Sequence, residues 1–97
     1  MFTATQNKGF QMTFENGLTI SVQWGTGNYC ENRSFTSQYN EEMSNQIWSS
    51  KNAEIAIWDK KNNWYNFGND TVMGWVTPDE VAEWIAKVSQ WTDINGF

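Results

Sequence analysis

Apolar residues alternate with polar ones on both sides of Asn16-Gly17, and this pattern restricts the fold more than any other feature of the chain. A two-residue turn would place the two apolar sets on opposite faces, because a one-residue slip in register inverts every side chain. We therefore predict a three-residue loop, Glu15-Asn16-Gly17, with Gly17 in the left-handed conformation. Three facing pairs of apolar side chains follow from this register: Phe14 with Leu18, Met12 with Ile20, and Phe10 with Val22. The other face of the hairpin carries Thr, Gln and Ser.

A second hairpin is predicted later in the chain. Residues 53–59 are apolar and β-branched enough for a strand, residues 60–63 have turn chemistry, and residues 64–67 form the returning arm. Residues 72–76 add one short strand. Residues 25–52 show no periodic pattern, although a short strand near residues 33–37 and a helical turn near residues 41–48 are both compatible with the sequence.

The last element is a helix with a complete start signal. Thr77 is the predicted N-cap, Pro78 the first helical residue, and Asp79 favours the positive end of the helix dipole. Glu80 closes a capping box with Thr77. The helix should fade near residue 92, and one apolar stripe runs along it: Val81, Trp84, Ile85, Val88 and Trp91.

These elements predict an α+β fold, in which an antiparallel sheet of two β-hairpins carries one C-terminal amphipathic helix on one face. A chain of 97 residues has room for one core, so residues 1–97 form a single domain. Seven Trp, six Phe and three Tyr bring roughly 3,000 Å² of buriable surface. That is more than so small a core needs, so some rings should lie at the surface and mark a binding region.

Charge and composition exclude several partners. The net charge of −5 argues against direct nucleic-acid binding and against an anionic membrane, because both need clustered Lys and Arg. No apolar run approaches the ~20 residues of a membrane span. One Cys allows no internal disulfide, and the first residues lack the pattern of a signal peptide, so we expect a cytoplasmic protein.

The sequence also offers little for catalysis. It has no His, and its single Cys cannot build a thiolate site, so we expect no metal, no cofactor and no enzymatic activity. Cys30 has no His to activate it as a nucleophile, and a small buried thiol is the better interpretation. Carboxylate pairs such as Glu41 with Glu42 are common in an acidic chain and usually lie on a solvated face.

A candidate ligand site lies around the loop Gly25-Thr26-Gly27-Asn28, whose small residues would let backbone amides approach an anion. Trp24 and Tyr29 flank the loop and can stack on a planar ring, and Arg33, the only Arg, can hold a phosphate in a bidentate fork. Trp58 and Trp64 on the second hairpin are further candidates, since alternate residues of a strand point to opposite faces. Trp84 and Trp91 are assigned to the core, whereas Trp48 and Trp75 remain unassigned.

Two stretches, residues 9–17 (GFQMTFENG) and residues 21–30 (SVQWGTGNYC), resemble small uncharacterised accessory proteins of tailed bacteriophages. Residues 53–59, 64–65 and 74–76 are similar to the same group, so the resemblance covers roughly half of the chain. It implies an accessory protein made inside a bacterium, where such proteins often counter host defences.

That setting leaves two main hypotheses. The first is a non-enzymatic protein that binds and sequesters a nucleotide-derived immune signal, which the aromatic content favours. The second is an acidic inhibitor of a host defence protein, including one that imitates nucleic acid, which the charge favours. A carboxylate enzyme and a minor virion component are weaker alternatives. Because one small domain rarely encloses a ligand, we also expect a homo-oligomer with aromatic residues at the contact.

Overall fold

The computed structural model describes residues 1–6, 8–34 and 47–97. Within them, the chain forms an antiparallel sheet whose strands follow one another in sequence order, and one helix after the last strand. The elements are β1 (Phe2–Thr5), β2 (Gly9–Thr13), β3 (Thr19–Gln23), β4 (Ala53–Trp58), β5 (Val72–Val76) and α1 (Pro78–Gln90). The predicted α+β class is confirmed. The strand and helical turn considered near residues 33–37 and 41–48 fall largely outside the described residues.

The first hairpin has the predicted register. Strands β2 and β3 pair with Phe10 opposite Val22 and Met12 opposite Ile20, and the amide of Phe14 donates to the carbonyl of Leu18 at 2.9 Å. Gly17 has φ = 87°, the left-handed conformation that a side chain rarely adopts. The three-residue loop therefore places the apolar residues of both strands on one face.

The second hairpin differs from the prediction in its returning arm. Strand β4 pairs with β3 on one side and with β5 on the other, whereas residues 64–67 contribute only an isolated bridge between Trp58 and Trp64. The physical reason lies in the side chains of Tyr65 and Phe67, which pack against the helix, with Phe67 meeting Trp84 at 5.2 Å between ring centroids. Strand β1, which pairs with β2 at the edge of the sheet, was not predicted; its run of four residues is short and mostly exposed.

The core lies between the sheet and α1. Ile20 on β3 and Ile55 and Ile57 on β4 have 0% of their surface exposed, as does Val88 on the helix. Each such side chain contributes roughly 1.5–3 kcal/mol through burial. Trp84 and Trp91 are half-buried and pack against this core, as the predicted helical stripe required.

Both ends of the helix are held by specific hydrogen bonds. At its start, Thr77 and Glu80 form the predicted capping box, and the hydrogen bonds that Glu80 accepts from the Thr77 amide and hydroxyl lower the pKa of this carboxyl. At its end, the Asn16 side-chain amide donates to the carbonyls of Val88 and Trp91, both at 2.8 Å. The turn of the first hairpin thus caps the C-terminus of α1, a link over more than 70 residues.

Within the described residues, no helix has both the length and the hydropathy needed to cross a membrane.

Candidate functional site

A candidate site lies on the face of the sheet opposite α1, at a β-bulge in β5. Ala53 pairs with Val76 and Ile55 with Met73, so two residues of β5, Gly74 and Trp75, lie opposite one residue of β4. Trp75 has φ = 51°, a conformation that costs a residue with a side chain about 1–2 kcal/mol. Its side chain is 54% exposed. Because the exposed Trp75 ring is kept despite this backbone strain, we consider Trp75 a candidate for function.

Tyr29 packs against the bulge and fixes the orientation of the Trp75 ring. The Trp75 amide donates to the Tyr29 carbonyl at 2.8 Å, and the two rings stack with centroids 5.8 Å apart and an angle of 28° between their planes. A Cβ on Gly74 would lie 2.5 Å from the Cβ of Tyr29, a distance that real Cβ atoms do not show. Gly74 is therefore required for Tyr29 to approach the strand this closely.

Arg33 completes the arrangement. Its guanidinium carbon lies 4.2 Å from the centroid of the Tyr29 ring, within the range of a cation–π contact, and the residue is exposed. We call Tyr29, Arg33 and Trp75 the Trp75 site. It places two aromatic rings and a planar cation next to one another on the surface.

Glu54 attaches this site to the sheet. One carboxylate oxygen accepts from the Tyr29 amide at 2.9 Å, and the other accepts from the Asn28 side-chain amide at 3.2 Å. The Asn28 side-chain oxygen in turn accepts from the Gly25 amide at 2.9 Å. The loop between β3 and the Trp75 site is thus anchored at both of its ends.

Three backbone amides of this loop donate hydrogen bonds within residues 25–33. The Gly25 amide bonds Asn28 as described, the Gly27 amide donates to the Arg33 carbonyl at 3.2 Å, and the Asn28 amide donates to the Gly25 carbonyl at 3.3 Å. Thr26 lies between them and is partly buried. These contacts make the predicted loop Gly25-Thr26-Gly27-Asn28 a support for Tyr29 and Arg33, and leave Arg33 as the group in the Trp75 site that can meet an anion.

Trp24 lies elsewhere, on the helix side of the sheet. Its ring meets that of Phe10 edge to face at 6.2 Å, and its indole nitrogen donates to the Trp48 carbonyl at 3.0 Å. It lines an apolar cavity of about 450 Å³ between the sheet and α1, with Val22 and Ile85 among its other walls. The structure therefore separates Trp24 from the Trp75 site.

Trp58 and Trp64 form a third location, at the far end of β4 from Glu54. Their ring centroids lie 5.0 Å apart, and Trp64 is 46% exposed. The distance along the strand from Glu54 to Trp58 is about 13 Å. Neither ring belongs to the hydrophobic core.

The carboxylate of Asp59 is hydrogen-bonded within the turn after Trp58. Asp59 accepts from the amides of Lys61 and Asn63 at 2.9 and 2.8 Å, and from the Asn63 side chain at 3.0 Å. The contact with the Asn63 side chain is the main reason why the pKa of Asp59 lies below its usual value. This carboxylate has a structural use within its own turn.

The chemistry of the other reactive groups is limited. Cys30 is 2% exposed, and its thiol lies 3.7 Å from the Gly25 carbonyl, in agreement with the small buried thiol expected from the sequence. In the part of the chain that the structure describes, His, Cys, Asp and Glu side chains form no group of three that could hold a metal ion.

Sequence reasoning thus found Tyr29 and Arg33 but left Trp75 unassigned. A usable signal was the Gly74-Trp75 pair, because a glycine inside a strand often marks a bulge. Comparison of the chain with protein-family models, curated proteins and solved structures finds no match.

Proposed function

We propose that this protein binds and sequesters a nucleotide-derived signalling molecule without catalysing a reaction, at the Trp75 site. The observation that carries this proposal is the exposed Trp75 ring, held at a strained backbone position and stacked on Tyr29 beside Arg33. The resemblance to phage accessory proteins supplies the setting, an inhibitor of host immunity in the bacterial cytoplasm.

The three side chains suit the two parts of a nucleotide. A base can stack on the exposed indole, which contributes about 1–3 kcal/mol for one base. The Arg33 guanidinium is planar and can donate two parallel hydrogen bonds to a phosphate. The negative charge of the whole chain works against a polyanion, so a ligand with few phosphates fits better than RNA or DNA.

A single exposed ring covers only one face of a base. A second copy of the chain that brings its own Trp75 ring to the other face would enclose the base and raise the affinity. For this reason a homo-oligomer remains part of the proposal, with aromatic residues at the contact.

The second candidate function is an acidic inhibitor that covers a host defence protein. The exposed ring of Trp64, in a chain with a net charge of −5, favours it, because Trp is enriched at the centres of protein interfaces. In this case Trp64 anchors the complex.

The proposal is tested by adding cyclic dinucleotides and ADP-ribose derivatives to the full chain and measuring its melting temperature. A ligand at 100 times its Kd should stabilise the protein by about 2.7 kcal/mol, and denaturation should release it intact. Trp75→Gly removes the ring and suits the left-handed backbone, so it should abolish the stabilisation. Arg33→Lys keeps the positive charge but loses the paired donors of the guanidinium, so it should reduce the stabilisation.

Trp64→Leu is the matched control, since it removes an exposed Trp outside the Trp75 site and should leave nucleotide binding unchanged. No stabilisation by any nucleotide in the panel would contradict sequestration. A host protein captured by the wild type but not by Trp64→Leu would favour the inhibitor instead.

A further inference from the structure

A shallow depression of about 460 Å³ lies beyond the end of β4 that is remote from Glu54. Its volume falls within the range of small-molecule sites. The residues that line it come from the segment after the Asp59 turn and from the segment after α1: Asn63, Trp64, Tyr65, Asn66, Ile94 and Asn95. None of these six side chains carries a formal charge. The lining therefore offers aromatic and amide groups, but no cationic side chain for a phosphate or a carboxylate.

The aromatic side of the depression is held in place by the sheet. Trp64 forms a bridge with Trp58, on whose ring its own ring packs at 5.0 Å. The Tyr65 amide donates to the Ile57 carbonyl at 2.8 Å, and the Tyr65 ring lies 5.0 Å from that of Trp91. Trp64 is thus an exposed ring whose position is fixed before any ligand arrives.

The amides around this ring offer both donors and acceptors. Asn63 uses its side-chain nitrogen on Asp59 at 3.0 Å, which leaves its side-chain oxygen to accept. Asn66 does the reverse, because its oxygen accepts from the Gly68 amide at 2.7 Å and its nitrogen is left to donate. Asn95 stands on the other rim, where its backbone amide is held by the Asp93 carboxylate at 2.8 Å.

We propose that this depression binds one residue of a neutral carbohydrate. A sugar ring has an apolar face of C–H groups, which fits against an exposed indole, and a rim of hydroxyls that donate and accept hydrogen bonds. Amide side chains offer the complementary donors and acceptors without charge. A nucleotide would leave its phosphate without a cation in this depression, so the ligand differs in class from that of the Trp75 site.

This second activity would attach the protein to a glycan while the Trp75 site acts on its own ligand. The two sites share no residue, and their exposed rings, Trp64 and Trp75, lie near opposite ends of β4. Failure of either proposal therefore leaves the other open to its own test.

The test uses the full chain, titrated with glucose, galactose, N-acetylglucosamine and their short oligomers, and followed by NMR chemical shifts of the indole N–H groups. At least one neutral sugar should bind with a Kd below about 10 mM. Trp64→Leu should weaken binding about tenfold or more through loss of the ring contact. Asn66→Asp keeps the oxygen that accepts from the Gly68 amide but loses the side-chain N–H donor, so it should also weaken sugar binding.

Two controls define the ligand class and the location. Glucuronate, a charged sugar of similar shape, should bind more weakly than glucose, and Trp75→Gly should leave sugar affinity unchanged. The proposal is overturned if no neutral sugar binds with a Kd below about 10 mM, if glucuronate binds as well as glucose, or if neither Trp64→Leu nor Asn66→Asp changes the affinity.

Discussion

The aromatic rings on the helix side of the sheet and those of the Trp75 site differ in their relation to the stability of the fold. On the helix side, Tyr65, Phe67, Trp84 and Trp91 form a cluster in which every ring contacts at least two others, with centroids 4.9–6.3 Å apart. All four pack against the buried core. In the Trp75 site, by contrast, the ring is more than half exposed and its backbone is strained. The helix-side cluster stabilises the fold, whereas the strained backbone at Trp75 is maintained by the stability of the rest of the fold.

The largest effect should follow from breaking the helix-side cluster. Trp84→Ala removes ring contacts with three partners and should lower the free energy of unfolding by about 2–4 kcal/mol, somewhat less than a fully buried Trp because the ring is only half-buried. Urea denaturation measures this. Trp84→Phe, which keeps a ring, should lose clearly less, and equal losses for the two variants would argue against the role of the cluster.

The next effect concerns the contact that joins the first hairpin to the end of the helix beside Trp91. Asn16→Ala deletes both hydrogen bonds to the carbonyls of Val88 and Trp91 and should cost about 1–2 kcal/mol. Asn16→Asp keeps the acceptor for the Leu18 amide but places a negative charge at the negative end of the helix dipole, so it should cost at least as much. If Asn16→Asp were as stable as the wild type, the capping role would be wrong.

A smaller effect is expected at the other end of the helix. Thr77→Ala removes the cap and should cost about 1 kcal/mol at pH 7, whereas Thr77→Ser should retain most of the stability. The hydrogen bonds from Thr77 lower the pKa of Glu80, so this carboxylate stabilises the fold above its ordinary pKa, and the contribution is lost as the pH falls through the lowered value. The difference between wild type and Thr77→Ala should therefore narrow below about pH 4, and thermal unfolding across that range checks the sign.

The smallest effect on stability should come from the Trp75 site, which sharpens the contrast with Trp84. Trp75→Gly loses the stack on Tyr29 but relieves the left-handed strain, and these changes offset each other to within about 1 kcal/mol. The same urea denaturation as for Trp84→Ala measures the change. A loss as large as that of Trp84→Ala would mean that Trp75 is part of the structural framework.

Much of the fold was predictable because its signals are local. The alternation around Asn16-Gly17 gave the register of β2 and β3, since the side-chain period of a strand excludes a two-residue turn between these apolar sets. The residues from Thr77 to Glu80 predicted the helix start for the same reason, because capping involves only neighbours in sequence. The returning arm of the second hairpin was misplaced, because the choice between residues 64–67 and β5 depends on where Tyr65 and Phe67 meet the distant Trp84.

Some residues of the candidate site were predictable from the sequence, but their arrangement in space was not. Tyr29 and Arg33 were identified from their chemistry, and they do lie together. Trp24 is also an aromatic residue close to Tyr29 in sequence, yet it lies on the helix side of the sheet. Alternation along β3 directs Trp24 to the same face as Val22, whereas the contact of the loop with Glu54 brings Tyr29 to the opposite face.

The sequence by itself determined the strand register of the first hairpin, the helix with its cap, and the excess of aromatic rings over what one core can bury. Only the tertiary structure decided which rings are exposed. Trp75 is outward because a bulge between β4 and β5 places two residues opposite Glu54, and Tyr29 stacks on it because Gly74 leaves room. Both conditions join segments that are distant in sequence, so no local pattern of residues contains them.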